Sequence, residues 1–403
     1  MGGSVRDLLL GRKVVDLDIV VEGDGITFAQ ELAGIGDRDL VPYSRFGTAF
    51  VILPPGIKVD IATARRESYP EPGLLPDIEP ASLDEDLSRR DFTINAMAIR
   101  LGPAGYGTFL DQHEGCRDLC AGIIRVLHEG SFRDDPTRIL RAIRFKARLG
   151  YSLDVSTVDL LVQSVKSGML EAVSRQRIRD EIVLILTEDD ASNSLAYLSD
   201  MGIWNSLFKY DLKVPAAAEK LFREGEYALQ WYHDLAQKHD LAEVERWAVR
   251  WLLLAGNSTV DTFIRISSDF HMGQAVARAA GERADNYPKA HAILFDDSSR
   301  ASHRTDSTLF WALALLGPVS IVLLASHGGH NTRIRLADYF TRLREIVPFV
   351  DGNDLKSMQI PEGPRLGEIL REVLSAQIDG KVLNRSDALD LARHLAGPSG
   401  KGR

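Results

Sequence analysis

The sequence predicts an α/β domain at the N-terminal end followed by an all-helical remainder, on three observations. Up to about residue 107, short β-branched runs alternate with helix-like segments and Gly/Pro turns. From Asp134 onward strand signals nearly vanish, and amphipathic segments with apolar residues at i, i+3 and i+4 follow one another. The 403 residues are 45% hydrophobic and 26% charged, an ordinary globular composition with length for more than one core.

The elements follow in order. Gly2-Gly3 opens a short amphipathic helix that Gly11 closes as a cap. Strands are expected over 14–21, 48–53 and 57–62. The Pro-rich stretch Tyr69-Pro70-Glu71-Pro72-Gly73-Leu74-Leu75-Pro76, leading through Asp84-Glu85-Asp86 to Arg89, reads as a mobile loop. Helices are expected over 136–149, 155–165, 177–187, 243–254, 332–346 and 367–376. Residues 309–325 are almost wholly apolar, but the run is shorter than the ~20 residues a spanning helix needs and is broken by Gly317-Pro318, so it reads as two buried helices rather than a membrane span. The Gly/Lys/Arg ending after Pro398 reads as a frayed tail.

Composition excludes several classes. Two cysteines, Cys116 and Cys120, allow neither a four-cysteine zinc site nor a disulfide framework, and the residues after Met1 lack the apolar run of a signal peptide. A reducing, cytoplasmic location is expected. The net charge of −9 leaves no general basic surface, so a nucleic-acid partner must be held by local patches. His233-Asp234 and His239-Asp240 resemble metal-hydrolase dipeptides without the separate motifs such enzymes need, and His327-Gly328-Gly329-His330 lacks carboxylate or cysteine company, so both read as non-ligating.

The most informative local feature is Asp16-Leu17-Asp18 within a β-branched run. On a strand the two carboxylates share a face at ~6–7 Å between Cα atoms, with Leu17 and Ile19 on the other. They repel unless a cation lies between them, and a hard ion such as Mg2+ suits them. Alone, the pattern fits a solvated strand end better than a metal site. Asp60, on a later strand, supplies a third carboxylate and completes a set able to hold two Mg2+, activate an attacking hydroxyl and stabilise leaving pyrophosphate. Upstream, the backbone N–H groups of Gly2 and Gly3 at a helix start form a phosphate cradle.

The full spacing G-G-x-V-R-D-x-L-L-G-x(4)-D-x-D resembles the metal-binding motif of the bacterial-type (class II) tRNA nucleotidyltransferase and poly(A) polymerase family, in the DNA polymerase beta superfamily. The resemblance is dense over residues 1–150 and thinner beyond. It implies a polymerase-beta-like α/β nucleotidyltransferase head over 1–125, a helical neck that recognises the nucleotide base over 126–200, and a helical body and tail that bind tRNA over 201–403. Within the first motif it assigns Gly2, Gly3 and Arg6 to the triphosphate and Asp16 and Asp18 to catalysis and metal, with Asp60 joining them from the later strand. In Arg89-Arg90-Asp91-Phe92-Thr93-Ile94-Asn95 it assigns Arg90, Asp91 and Asn95 to the ribose, whose hydroxyls suit such partners. Without the family, Arg89-Arg90-Asp91 would read as a salt-bridged helix start. A hinge-like motif at Asp111–Leu119 makes Cys116 a loop residue without a redox role.

The family's acidic pair followed by arginine stands here as Asp134-Asp135-Pro136-Thr137-Arg138, with Asp134 where many CCA-adding members carry Glu. Asp135 and Arg138, three apart, offer an acceptor beside donors, a template that accepts C and A and rejects U and G. Asp135 would also serve simply as a helix cap before Pro136. Arg141 and Arg144 recur on the same side and are expected at the triphosphate. Ser174, three residues before Arg177, is a helix cap in a motif that steadies the neck. Near the end, Gly363 and Arg365 in a Gly/Pro loop opening a helix are expected to grip an RNA phosphate, with Arg333, Arg335, Arg342 and Arg344 nearby.

The resemblance implies addition of CMP and/or AMP from CTP and ATP to the tRNA 3′ end, with no membrane partner. The long segment after Arg65 favours full CCA or A addition over CC addition, and the division of labour stays open. Poly(A) polymerase and a non-catalytic RNA-binding relative are the competing readings. Family members place a strand before the glycine pair, so the sheet is expected either to lack that edge strand or to have a start further upstream.

Overall fold

Alternation along the chain builds a small sheet with one apolar and one polar face. The computed structural model describes residues 1–14, 16–35, 40–43, 47–54, 56–209, 212–254, 258–295 and 305–396. Helix α1 (Gly3–Leu9) precedes β1 (Asp16–Val21), α2 (Gly25–Gly34), β2 (Leu40–Tyr43), β3 (Thr48–Leu53) and β4 (Ile57–Thr63). The strand order is β1-β4-β3-β2, with β1 parallel to β4 and the other pairs antiparallel. Ala49, Val51, Val59 and Ile61 are buried against Ala29 and Ala33 of α2, joined by Ile19 and Val21. The opposite face therefore carries the even-numbered residues of β1 and β4. The strand expected from 14 begins at Asp16, and Val15 lies outside the described residues.

The segment expected as a mobile loop contains regular structure. β5 (Arg65–Ser68) and β6 (Asp77–Pro80) form an antiparallel hairpin, followed by α3 (Leu83–Ser88). Two signals that a Pro-rich composition masks account for this. Arg66 stands opposite Glu79 and pairs with it across the strands. Ser82 and Glu85 make a reciprocal capping box at the start of α3. Short strands β7 (Ala98–Ile99) and β8 (Phe109–Leu110) follow, then α4 (Gly115–Ala121). Cys116 lies in α4, not in a loop, because Asp111 accepts hydrogen bonds from the Gly115 and Cys116 N–H groups and so starts the helix.

From here the regular structure of the described residues is helical apart from two residue pairs, β9 (Ile123–Ile124) and β10 (Ser152–Leu153). After α5 (Ser131–Asp134), α6 (Thr137–Leu149) buries Ile139, Leu140 and Ile143. It packs on α8 (Arg175–Thr187) and α9 (Ala191–Asp200), which follow α7 (Val155–Lys166). Ser174 Oγ accepts the Arg177 N–H, the cap expected there. Helix α10 (Ile203–Phe208) completes a unit spanning Met1–Val214.

A second unit spans Pro215–Arg403. Its helices include α11 (Ala218–His239) and α12 (Arg246–Leu254), then α13 (Val260–Asp269), α14 (Gln274–Glu282) and α15 (Asn286–Phe295). The apolar run at 309–325 forms α16 (Asp306–Ala314) and α17 (Pro318–His327), broken before Pro318. Buried Glu282 caps α17, accepting from Gly317 N at 2.9 Å and Ser320 Oγ at 2.5 Å. Helix α18 (His330–Asp338) runs into a π-helical turn, Tyr339–Leu343. Helices α19 (Gly352–Ser357), α20 (Pro364–Ile378) and α21 (Arg385–Ala396) share a core that includes Leu355, Ile369, Val373 and Ala388. No helix among the described residues is long and apolar enough to cross a membrane. The tail expected after Pro398 lies outside the described residues.

Candidate nucleotide and metal site

Parallel pairing of β1 with β4 sets Asp16 opposite Lys58 and Asp18 opposite Asp60. The three carboxylates thus share the face turned away from α2. Asp18 and Asp60 line a cavity of about 560 Å3, together with Gly3, Arg6, Arg90, Asp91, Asn95 and Arg141. Asp18 is fixed by Ser4, whose Oγ donates to its carboxylate at 2.9 Å and accepts its N–H at 3.0 Å. Asp60 accepts from Lys58 Nζ at 2.7 Å, and that ammonium also lies 5.2 Å from the Phe50 ring centroid. The bond to Asp60 raises the basicity of Lys58, against burial and with help from Asp16 and Asp18. Among the described residues, no three His, Cys, Asp or Glu side chains are gathered as a ready ligand set. The donor chemistry nonetheless suits a hard divalent ion: carboxylate oxygens from adjacent strands face one cavity.

The next wall is a chain of side chains that hold each other. Asp91 is buried, and Arg141 donates to its Oδ2 from Nε at 2.9 Å and Nη2 at 2.6 Å. Asn95 Nδ2 donates to Asp91 Oδ1 at 3.0 Å, while Asn95 Oδ1 accepts from Arg6 Nη1 at 2.6 Å. Burial pushes the Asp91 carboxyl up, but Arg141 and Asn95 outweigh it and hold it below its ordinary value. Arg141 is correspondingly raised by Asp91, against burial, with Glu181 contributing. Arg90 donates to buried Asp86 at 3.1 Å, and its Nε is a buried donor without a protein partner. The three residues expected at the ribose are therefore brought together on this wall.

The residues expected at the triphosphate are divided. Arg6, Arg141 and Arg144 surround the Phe145 ring at 5.2, 5.6 and 5.0 Å. Arg6 and Arg141 line the cavity, whereas Arg144 is buried between Glu181 at 3.4 Å and Glu188 at 3.6 Å, where desolvation lowers its pKa. The Gly2 N–H is spent on the Met97 carbonyl at 2.8 Å, while Gly3 faces the cavity. Gly2 must be glycine: its φ is +66°, and a Cβ there would stand 2.5 Å from Arg90 Nη1.

Asp135 acts as a cap, accepting from Thr137 N at 3.0 Å, and also pairs with Arg177 at 2.8 Å. Arg138 donates to Ser131 Oγ at 2.7 Å and the Arg89 carbonyl at 2.6 Å. The two therefore start the same helix but are held by different neighbours. Arg177 also donates to the Gly73 carbonyl at 3.0 Å, and Gly73, at φ +78°, has no room for a Cβ against Ala172.

In the second unit, Gly363 precedes α20, and Arg365 is engaged by Glu368 at 3.0 Å and the Leu395 carbonyl at 2.7 Å. Arg342 is paired with Asp306 and Asp338, and Arg333 donates to the Ala325 carbonyl at 3.3 Å. His233 meets the Val244 carbonyl, and His327 meets the Leu323 carbonyl and Tyr287.

Sequence reasoning missed Lys58, Phe145, Arg148, Arg177 and Glu181 as parts of the site. Arg148, four residues after Arg144, lines the cavity and continues the arginine series of α6. Its helical spacing was the available signal. With Arg6, Arg90 and Arg141 it brings four guanidinium groups to a cavity that also carries Asp18, Asp60 and Asp91.

Comparison with known proteins accords with this arrangement. The family model described as "Poly A polymerase head domain" matches residues 1–125, and that described as "Probable RNA and SrmB- binding site of polymerase A" matches 150–212. The chain is 37% identical over 402 residues to an A-adding tRNA nucleotidyltransferase of Geobacter sulfurreducens, covering 98% of this chain and 45% of that protein. It is 32% identical over 401 residues to an A-adding tRNA nucleotidyltransferase of Halalkalibacterium halodurans, covering 98% of this chain and 88% of that protein. A solved CCA-adding enzyme in its apo form II superposes with a TM-score of 0.76 at 30% identity, covering 96% of this chain and 89% of that chain. The chain thus spans less than half of the Geobacter relative and most of the Halalkalibacterium one. A polymerase-type head carrying paired carboxylates, continued by helices and matched along nearly its whole length, places this chain in the tRNA nucleotidyltransferase and poly(A) polymerase family.

Proposed function

We propose that the protein extends the 3′ end of tRNA with CMP and/or AMP drawn from CTP or ATP, working in the cytoplasm with Mg2+. The observation that carries this reading is the in-register pair Asp18 and Asp60, facing one cavity with Arg6, Arg90, Asp91, Asn95 and Arg141. Asp16, Asp18 and Asp60 would hold two Mg2+, which when bound favour attack of the tRNA 3′-hydroxyl on the α-phosphate and departure of pyrophosphate. Arg141 and Arg6 offer charge to the triphosphate from positions fixed by Asp91 and Asn95. Arg90, Asp91 and Asn95 line the side suited to the sugar. Asp135 and Arg138 would supply an acceptor and donors to the base edge on release from their present partners, Arg177 for the one and Ser131 and the Arg89 carbonyl for the other. Gly363 and Arg365 remain candidates for an RNA phosphate contact.

Addition of A is the favoured step, since the relatives from Geobacter and Halalkalibacterium are both named A-adding. Labelled ATP or CTP with Mg2+, offered with tRNA transcripts ending before CCA, after the first C and after CC, tests the reading. A single A on the CC-ended transcript alone marks an A-adding specialist, and completion of all three marks a full CCA enzyme. Long A tails would move the chain to the polymerase branch. Unchanged incorporation by Asp18→Ala would remove the catalytic assignment.

A further inference from the structure

We propose that Lys58 is an internal cation that competes with the divalent ion for Asp60 and thereby sets the metal affinity of the carboxylate site. The inference rests on the reading of that site as a metal site. Lys58 and Asp60 are two residues apart on β4, so they share the polar face of the sheet. Phe50 stands directly opposite Asp60 across the β3–β4 pair, and the ammonium is seated between its ring, at 5.2 Å, and the carboxylate, at 2.7 Å. Asp16, directly opposite Lys58 on β1, is the other carboxylate in its register. One carboxylate oxygen that a hard ion would use is therefore already engaged by a positive charge from the same chain.

Exposure decides whether this contact can yield. The side chains of Lys58 and Asp60 are 45% and 38% exposed, so solvent competes for both ends. Such a pair is worth little and is reversible, unlike the shielded Asp91–Arg141 bond. A divalent ion offers Asp60 twice the charge and so displaces the ammonium, at a cost the site pays in affinity.

The test is Mn2+ binding to the full chain, followed by electron paramagnetic resonance of free Mn2+ in the absence of nucleotide and tRNA. Lys58→Met keeps an apolar stem over Phe50 while removing the charge, and is expected to lower the Mn2+ Kd by about two- to five-fold, the span of an exposed ion pair. Lys58→Gln should act likewise, and Lys58→Arg should leave the affinity at or below that of the wild type. Phe50→Leu removes the ring without changing any charge, so a tightening there distinguishes release of the ammonium from a general field effect. Equal or weaker Mn2+ binding by both neutral variants, with the wild type binding normally, overturns the role of Lys58. A wild type that binds no more Mn2+ than Asp18→Ala overturns the metal site itself, and the proposal with it.

Discussion

Asp91→Asn removes one charge from a shielded pair and leaves the shape of the site almost intact. The Asp91 carboxylate is 8% exposed and takes two bonds from Arg141, while the Arg141 side chain is 32% exposed toward the cavity. Breaking a fully buried pair by changing one partner costs about 3–5 kcal/mol. Solvent at the Arg141 end places this one near the lower limit, about 3 kcal/mol. An amide retains a carbonyl acceptor for one of the bonds from Arg141 but loses the charge that sustains both. For a unit of this size the loss corresponds to a fall in Tm of about 6–12 °C. Thermal and urea unfolding of wild type, Asp91→Asn, Arg141→Met and the double variant measure it. The second change should cost less once the first is made, giving a coupling of about 2 kcal/mol. Single variants that each lose less than about 1 kcal/mol and add independently would refute the argument from burial.

Two further outcomes follow from the same wall of the cavity. The folded Asp91 carboxyl lies below its unfolded value near 3.9, so the stability it lends is complete above about pH 5 and drains away as pH falls through the folded value. Urea midpoints from pH 6 to 3 should therefore decline less steeply in Asp91→Asn than in the wild type. Gly2→Ala places a methyl 2.5 Å from Arg90 Nη1 at a φ of +66°, so it should cost about 1–2 kcal/mol of stability and raise the KM for ATP as Arg90 is displaced. Unfolding midpoints and initial rates at varied ATP separate the two effects.

Much of the head was legible because its signals are local. Asp16 and Asp18 on a β-branched run, a glycine pair before a helix and alternation over Ile57–Thr63 each need only a few neighbouring residues. The hairpin from Arg65 to Pro80 was hidden because its evidence is a pairing, Arg66 with Glu79, across a Pro-rich turn whose composition alone suggests a loop. Lys58 was invisible for a similar reason: its meaning depends on β1 lying beside β4 in one register, and register is a property of two strands together. Arg141 and Arg144 read alike in sequence, yet Glu181 on α8 and Glu188 just beyond its end draw one inward while Asp91 holds the other at the cavity. Helical spacing fixes which side of a helix a residue occupies, and packing decides what it meets.

Arg177 grips two things at once, the Asp135 carboxylate and the carbonyl of Gly73 at the far end of the β5–β6 hairpin. On the reading of Asp135 as a reader of the base, the hairpin tip and the nucleotide draw on a single guanidinium. Linkage between them runs both ways: whatever pulls Arg177 toward one partner changes what remains for the other, by the same free energy in each direction. On the same reading, a bound base would leave a trace on the outside of the molecule. Protease cutting at Leu74 and Leu75, both exposed beside Gly73, would then differ between nucleotides that engage Asp135 and those that do not.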